Sequence, residues 1–122
     1  MENSPPPSVS FADGVFIITL GPEYSHLHEN MLEPLALLPM LADAISPARM
    51  VIDMAPVQFI GSALIGHLVT INKRLTAREN GALGLCNLNK FCKTALSVSN
   101  LDSILQTFDS PENAVAALGN NK

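Results

Sequence analysis

The spacing of apolar positions changes several times along the chain, and each change predicts an element. In "SVSFADGVFIITL" two apolar runs flank Asp13-Gly14, a pair suited to the positive φ of a tight turn, so a β-hairpin is expected. From Leu27 to Ile45, apolar residues recur at helical spacing (Leu27, Met31, Leu32, Leu35, Leu38, Leu41, Ala42, Ile45). Pro34 and Pro39 argue for a kink there, or for a helix starting near Pro34. "RMVIDM" reads as a short central strand and "APVQFIG" as a loop. The next helix is expected from Ala63 to Glu79. Leu64, Ile65, Leu68, Ile71, Asn72 and Leu75 make its inner side, and His67, Thr70, Arg74 and Arg78 its outer side. Asn80-Gly81 ends it. Then come a strand at "ALGLC", a helix at "NLNKFCKTALSVS" opened by an Asn cap, a strand at "SILQTF", and a helix at "SPENAVAAL" with Ser110 as cap and Pro111 in its first turn.

The order β-β-α-β-α-β-α-β-α predicts an α/β fold, a largely parallel sheet of about five strands opened by one antiparallel hairpin, with about four helices. The 122 residues suit a single domain over 8–118. Residues 1–7, with three consecutive prolines, read as a flexible tail, and residues 119–122 as a frayed end. Hydrophobic residues make up 48% of the chain and aromatic residues 5%, so the core must be aliphatic.

Charge and cysteines narrow the class. The net charge of −4 argues against a general nucleic-acid binder. The charges are unevenly placed: residues 1–48 hold Glu2, Asp13, Glu23, Glu29, Glu33 and Asp43 with no lysine or arginine. Residues 49–93 hold Arg49, Lys73, Arg74, Arg78, Lys90 and Lys93 against Asp53 and Glu79. Such polarity can steer a partner, and the basic outer side of the Ala63–Glu79 helix could meet an acidic one. Cys86 and Cys92 fit neither a zinc knuckle nor a redox pair, and a reducing cytoplasm is the simplest compartment. "MENSPPPS" lacks the basic and apolar regions of a signal peptide, and no segment is apolar enough to insert in a membrane.

Few residues suggest covalent chemistry. Phosphate-cradling glycine loops are absent, and in "IGSALIG" Ser62 follows glycine directly, unlike a nucleophile elbow. His26 and His28 make a weak metal motif, and His67, five residues after Ser62, points away from it on a helix. The expectation is therefore a protein that is not an enzyme and holds no metal or cofactor. Ser62 stands at a loop-to-helix junction. As a cap it contributes about 1 kcal/mol. The same helix end, with free N–H groups and a positive dipole, tolerates a phosphate. Gly61 leaves Ser62 unshielded.

The stretch from "MVIDMAPVQFIGSALIG" through "LDSIL" to "SPENAV" resembles the STAS domain, the family of sulphate transporters and anti-sigma-factor antagonists. Asp53-Met54, Val57-Gln58-Phe59-Ile60 and Ser62-Ala63-Leu64-Ile65-Gly66 take the places of its strand-end and loop signatures. The resemblance runs from about Ser8 to Leu118 and implies a mixed sheet with helices covering one main face. It also implies a regulatory binding module in a partner-switching pathway, meeting an anti-sigma factor or serine-kinase-like protein and controlled by phosphorylation of Ser62. The contact would involve Phe59, Ile60, Gly61, Ser62, Ala63, Leu64, Tyr24 and Arg74. A homo-oligomer is compatible with this. Two positions depart from the family pattern: Gly61 replaces the usual aspartate before the serine, and Tyr24 falls near another usual aspartate. They support the alternative of a non-phosphorylated scaffold subunit in a lipid or other membrane-transport complex.

Overall fold

The computed structural model describes residues 8–20, 37–58 and 62–119, with the side chains of Leu37, Ser62 and Ala63 outside that description. The elements run β1 (Ser8–Ala12), β2 (Val15–Thr19), α1 (Leu37–Ala44), β3 (Arg49–Asp53), α2 (Ser62–Thr76), β4 (Ala82–Cys86), α3 (Lys90–Val98), β5 (Gln106–Phe108) and α4 (Pro111–Leu118). The strands lie in the order β1-β2-β3-β4-β5. β1 and β2 are antiparallel and the later pairs parallel, as the alternation of strands and helices predicts.

The hairpin closes between Ala12 and Val15 through Asp13 (φ 52) and Gly14 (φ 83). Two successive left-handed residues match the right-handed twist of the strands, and aspartate and glycine tolerate that conformation best. The central strands are buried on both faces, so they read as unbroken apolar runs. In β3, Met50 and Ile52 enter the larger core while Val51 enters the smaller one. The larger core receives Leu38 and Ala42 of α1, Leu64, Leu68, Ile71 and Leu75 of α2, and Cys92 and Leu96 of α3. The smaller core joins Val15, Val51 and Cys86 to Ala114 and Val115 of α4. Among the described residues, three helices thus cover one face of the sheet and α4 covers the other, more coverage than one main face.

Gly84 explains how α4 and β5 close over the second face. A Cβ there would lie 2.9 Å from the Phe108 ring and 3.1 Å from Leu118 Cδ1, so only glycine lets both side chains reach the sheet.

Several boundaries differ from expectation. Of the helix expected over Leu27–Ile45, kinked or starting near Pro34, the described part is α1, which ends one residue early at Ala44, and 21–36 lie outside the described residues. α2 starts one residue early, so the Ser62 backbone is already helical, and it stops at Thr76 rather than Glu79. Thr76 Oγ1 donates to the Asn72 carbonyl, and the Arg78 N–H reaches back only to Leu75 O, which tightens the last turn. Asn80 (φ 59) then reverses the chain, and a Cβ on Gly81 would collide with the Leu75 carbonyl oxygen. The strand expected at "SILQTF" is reduced to Gln106–Phe108. After Asn100 (φ 61), the N–H groups of Ile104 and Leu105 both bond to Leu101 O and curl the chain before it can pair with β4. The α4 cap is as predicted: the Asn113 N–H donates to Ser110 Oγ, and Pro111 opens the helix.

Candidate functional site

The junction leading to Ser62 lies at the carboxyl ends of β3 and β4, and its path is set by side chains bonding to backbone. Asp53 ends β3. Its Oδ1 accepts from the Ala55 N–H at 3.0 Å and from Asn87 Nδ2 at 3.0 Å. Asn87 sits just past β4 at φ 60, a conformation asparagine tolerates. The Met54 N–H continues the ladder to Cys86 O, and the Val57 N–H closes a turn onto Met54 O. Val57 itself is buried.

Asn89 performs two tasks. Its Oδ1 accepts from the Cys92 N–H at 2.8 Å and caps α3. Its Nδ2 donates to the Gln58 carbonyl at 2.8 Å, with a longer contact to Val57 O at 3.5 Å. The Cys92 thiol also donates to Val57 O, at 3.7 Å. Val57 and Gln58 are therefore tied to the β4–α3 connection as well as to their own neighbours. Reading the sequence finds an asparagine cap at this helix but not its second bond, which spans 31 residues.

α2 begins at Ser62 with no acid in its first turn, while Lys73 and Arg74 lie in its last. The positive end of its dipole thus has no acidic side chain from the helix itself, and the negative end is balanced. Leu64, expected at the contact, is buried in the larger core, so it anchors the first turn instead of presenting its side chain to a partner. Arg74 Nη1 donates to Asp43 Oδ2 of α1 at 3.1 Å, and Arg78 Nη1 to the Ala42 carbonyl at 2.9 Å. Arg74 therefore ties α2 to α1, Arg78 ties the turn after α2 to α1, and His67 is half-buried. Tyr24, Phe59, Ile60 and Gly61 lie outside the described residues, as do His26, His28 and the side chains of Ser62 and Ala63.

Neither cysteine is an activated nucleophile. Burial, with help from the charges of Asp53 and Glu112, pushes the Cys86 thiol up to about 12. Burial also raises Cys92, partly offset by hydrogen bonding of the thiol with the Asn89 backbone. Both are free and buried. Among the described residues no group of His, Cys, Asp and Glu is arranged to hold a metal ion, and no helix is long and apolar enough to cross a membrane.

The STAS-domain family model matches residues 7–114. No curated protein matches the chain. Among solved structures, the chain is similar to an anti-sigma-factor antagonist (STAS) domain protein from Planctomyces limnophilus. The identity is 25% and the TM-score 0.86, over 93% of this chain and 98% of that one. It is also similar to an anti-sigma factor antagonist from Mycobacterium paratuberculosis, at 20% identity and TM-score 0.78 over 92% of each chain. The phosphorylated form of the Bacillus cell-fate determinant SpoIIAA shares the fold at 16% identity and TM-score 0.65, over 92% of this chain and 98% of that one.

Proposed function

The chain belongs to the STAS-domain family, and on that footing we propose that it is a regulatory binding module of the anti-sigma-factor-antagonist kind. It meets a serine-kinase-like anti-sigma factor in the cytoplasm and so regulates transcription, and phosphate on Ser62 releases it. The observation that carries this reading is the start of α2 at Ser62, with no acid in the first helical turn, after a loop whose Gln58 carbonyl is held by Asn89. A phosphate there adds about −1.5 to −2 of charge at a helix end that tolerates it. The partner surface around Phe59, Ile60, Gly61 and Ala63, with Tyr24 and Arg74, then loses its neutral centre. The similarity to solved antagonists, one of them in a phosphorylated form, supports the reading.

Incubation with the cognate kinase and ATP should add one phosphate, and the Ser62→Ala protein should take up none. Equal labelling of Ser62→Ala would refute the assignment. Gly61, where the family usually has aspartate, favours one other reading, an unphosphorylated scaffold subunit of a membrane-transport complex. That reading predicts no labelling by any kinase and stable association with a permease and an ATPase.

A further inference from the structure

The two edges of the sheet are unlike each other. β5 has three residues, too few to template another strand. β1 has five, Ser-Val-Ser-Phe-Ala, without charge, proline or glycine, and it ends the strand order. Sheet edges are usually blunted by lysine, proline or a bulge, and β1 carries none of these along Ser8–Ala12. Its large side chains stay half in water, Val9 at 53% and Phe11 at 54% exposure.

The hairpin register fixes which backbone groups face outward. A two-residue turn makes its flanking residues, Ala12 and Val15, a hydrogen-bonded pair, and pair types alternate from there. Ser10 and Ser8 therefore bond inward to Ile17 and Thr19, while Val9 and Phe11 direct their N–H and C=O groups to the outer edge, where no other described strand pairs. These are also the two exposed apolar residues. They share a sheet face with Phe16 and Ile18, and the Phe11 and Phe16 rings meet edge-on at 4.7 Å.

We propose that β1 is a docking edge for a second copy of this chain, the two strands pairing antiparallel about Ser10. This register is self-complementary. The Val9 N–H bonds the partner's Phe11 C=O, the Phe11 N–H bonds the partner's Val9 C=O, and the two-fold axis repeats both. Each Phe11 side chain lies opposite the partner's Val9, so the Phe11–Phe16 contact extends into an apolar strip across the joint. Absence of charge along β1 removes the repulsion that would oppose two identical strands meeting. The contact is a single short strand on each side, which belongs to the small, weak class of interfaces. The proposal is independent of Ser62.

The test is sedimentation equilibrium on the full chain at concentrations up to about 1 mM. The wild type should show a monomer–dimer equilibrium. Val9→Lys/Phe11→Lys and Val9→Glu/Phe11→Glu should each be monomeric, because the register sets like charges opposite one another. Their equimolar mixture should dimerise again. Val9→Pro removes an edge N–H without touching a β1–β2 bond, and should weaken dimerisation at least ~10-fold with an unchanged circular dichroism spectrum. A monomeric wild type, a dimer that survives the Lys/Lys change, or a mixture that stays monomeric would overturn the proposal.

Discussion

Replacing Asn89 separates the stability of the fold from the order of the chain at Val57 and Gln58. Asn89→Ala loses the α3 cap, about 1 kcal/mol, and the bond to Gln58 O, about 1 kcal/mol more. With ~2.1 cal/mol/K of unfolding entropy per residue over 122 residues, a loss of ~2 kcal/mol lowers Tm by about 8 °C. Asn89→Asp keeps an oxygen for the Cys92 N–H and adds a favourable charge at the helix N-terminus. It has no donor for Gln58 O, and that carbonyl then faces a carboxylate. Stability should stay within about 1 kcal/mol of wild type, because the orphaned carbonyl is exposed and water can replace the donor. The Val57 amide, bonded to Met54 O in the turn that Asn89 steadies, should nevertheless exchange faster with solvent deuterium. Thermal unfolding and residue-resolved hydrogen exchange read the two effects separately. If Asn89→Asp keeps wild-type protection at Val57, the side chain is only a cap and the segment is held by something else.

Gly84→Ala should cost about 1–3 kcal/mol, since the new methyl meets the Phe108 ring at 2.9 Å. Adding Phe108→Leu should recover part of the loss, and strict additivity in chemical denaturation would contradict that contact. Cys86 and Cys92 should resist a disulfide reagent at pH 8 in the folded chain and react in urea, because both thiols are buried and held protonated. The folded chain binds the Cys86 proton more tightly than the unfolded one, so stability should hold below pH 9 and fall as pH rises from 9 towards 12. Cys86→Ala should show a shallower fall over that range, and an identical pH profile would contradict the shift.

The parts of the fold that repeat a spacing or use local chemistry were legible in the sequence. Leu64, Leu68, Ile71 and Leu75 mark one side of α2 by their intervals, and all four are buried. Asp13-Gly14 and Ser110-Pro111 act within a few residues of themselves, and both do what their chemistry suggests. "SILQTF" misled because β-favouring residues lie where Asn100 and Leu101 curl the chain, and only a partner strand decides whether such a run pairs. The candidate site was half legible for a related reason. Ser62 stands out by position, but the bonds from Asn87 to Asp53 and from Asn89 to Gln58 join residues 34 and 31 apart, and no periodicity encodes them.

Those same magnitudes decide how a charge at Ser62 would act. Burying Leu64, Leu68, Ile71 and Leu75 contributes about 1.5–3 kcal/mol each, and all lie in the larger core. An anion at a helix N-terminus changes the helix by only ~0.3–2 kcal/mol, in the stabilising direction. A phosphate on Ser62 therefore cannot melt α2, and Gln58, in the loop that leads to it, is held from the β4–α3 side by Asn89. What the charge can change is the surface offered to a partner. In the proposed switch the unmodified and modified chains share one fold and differ in what they bind.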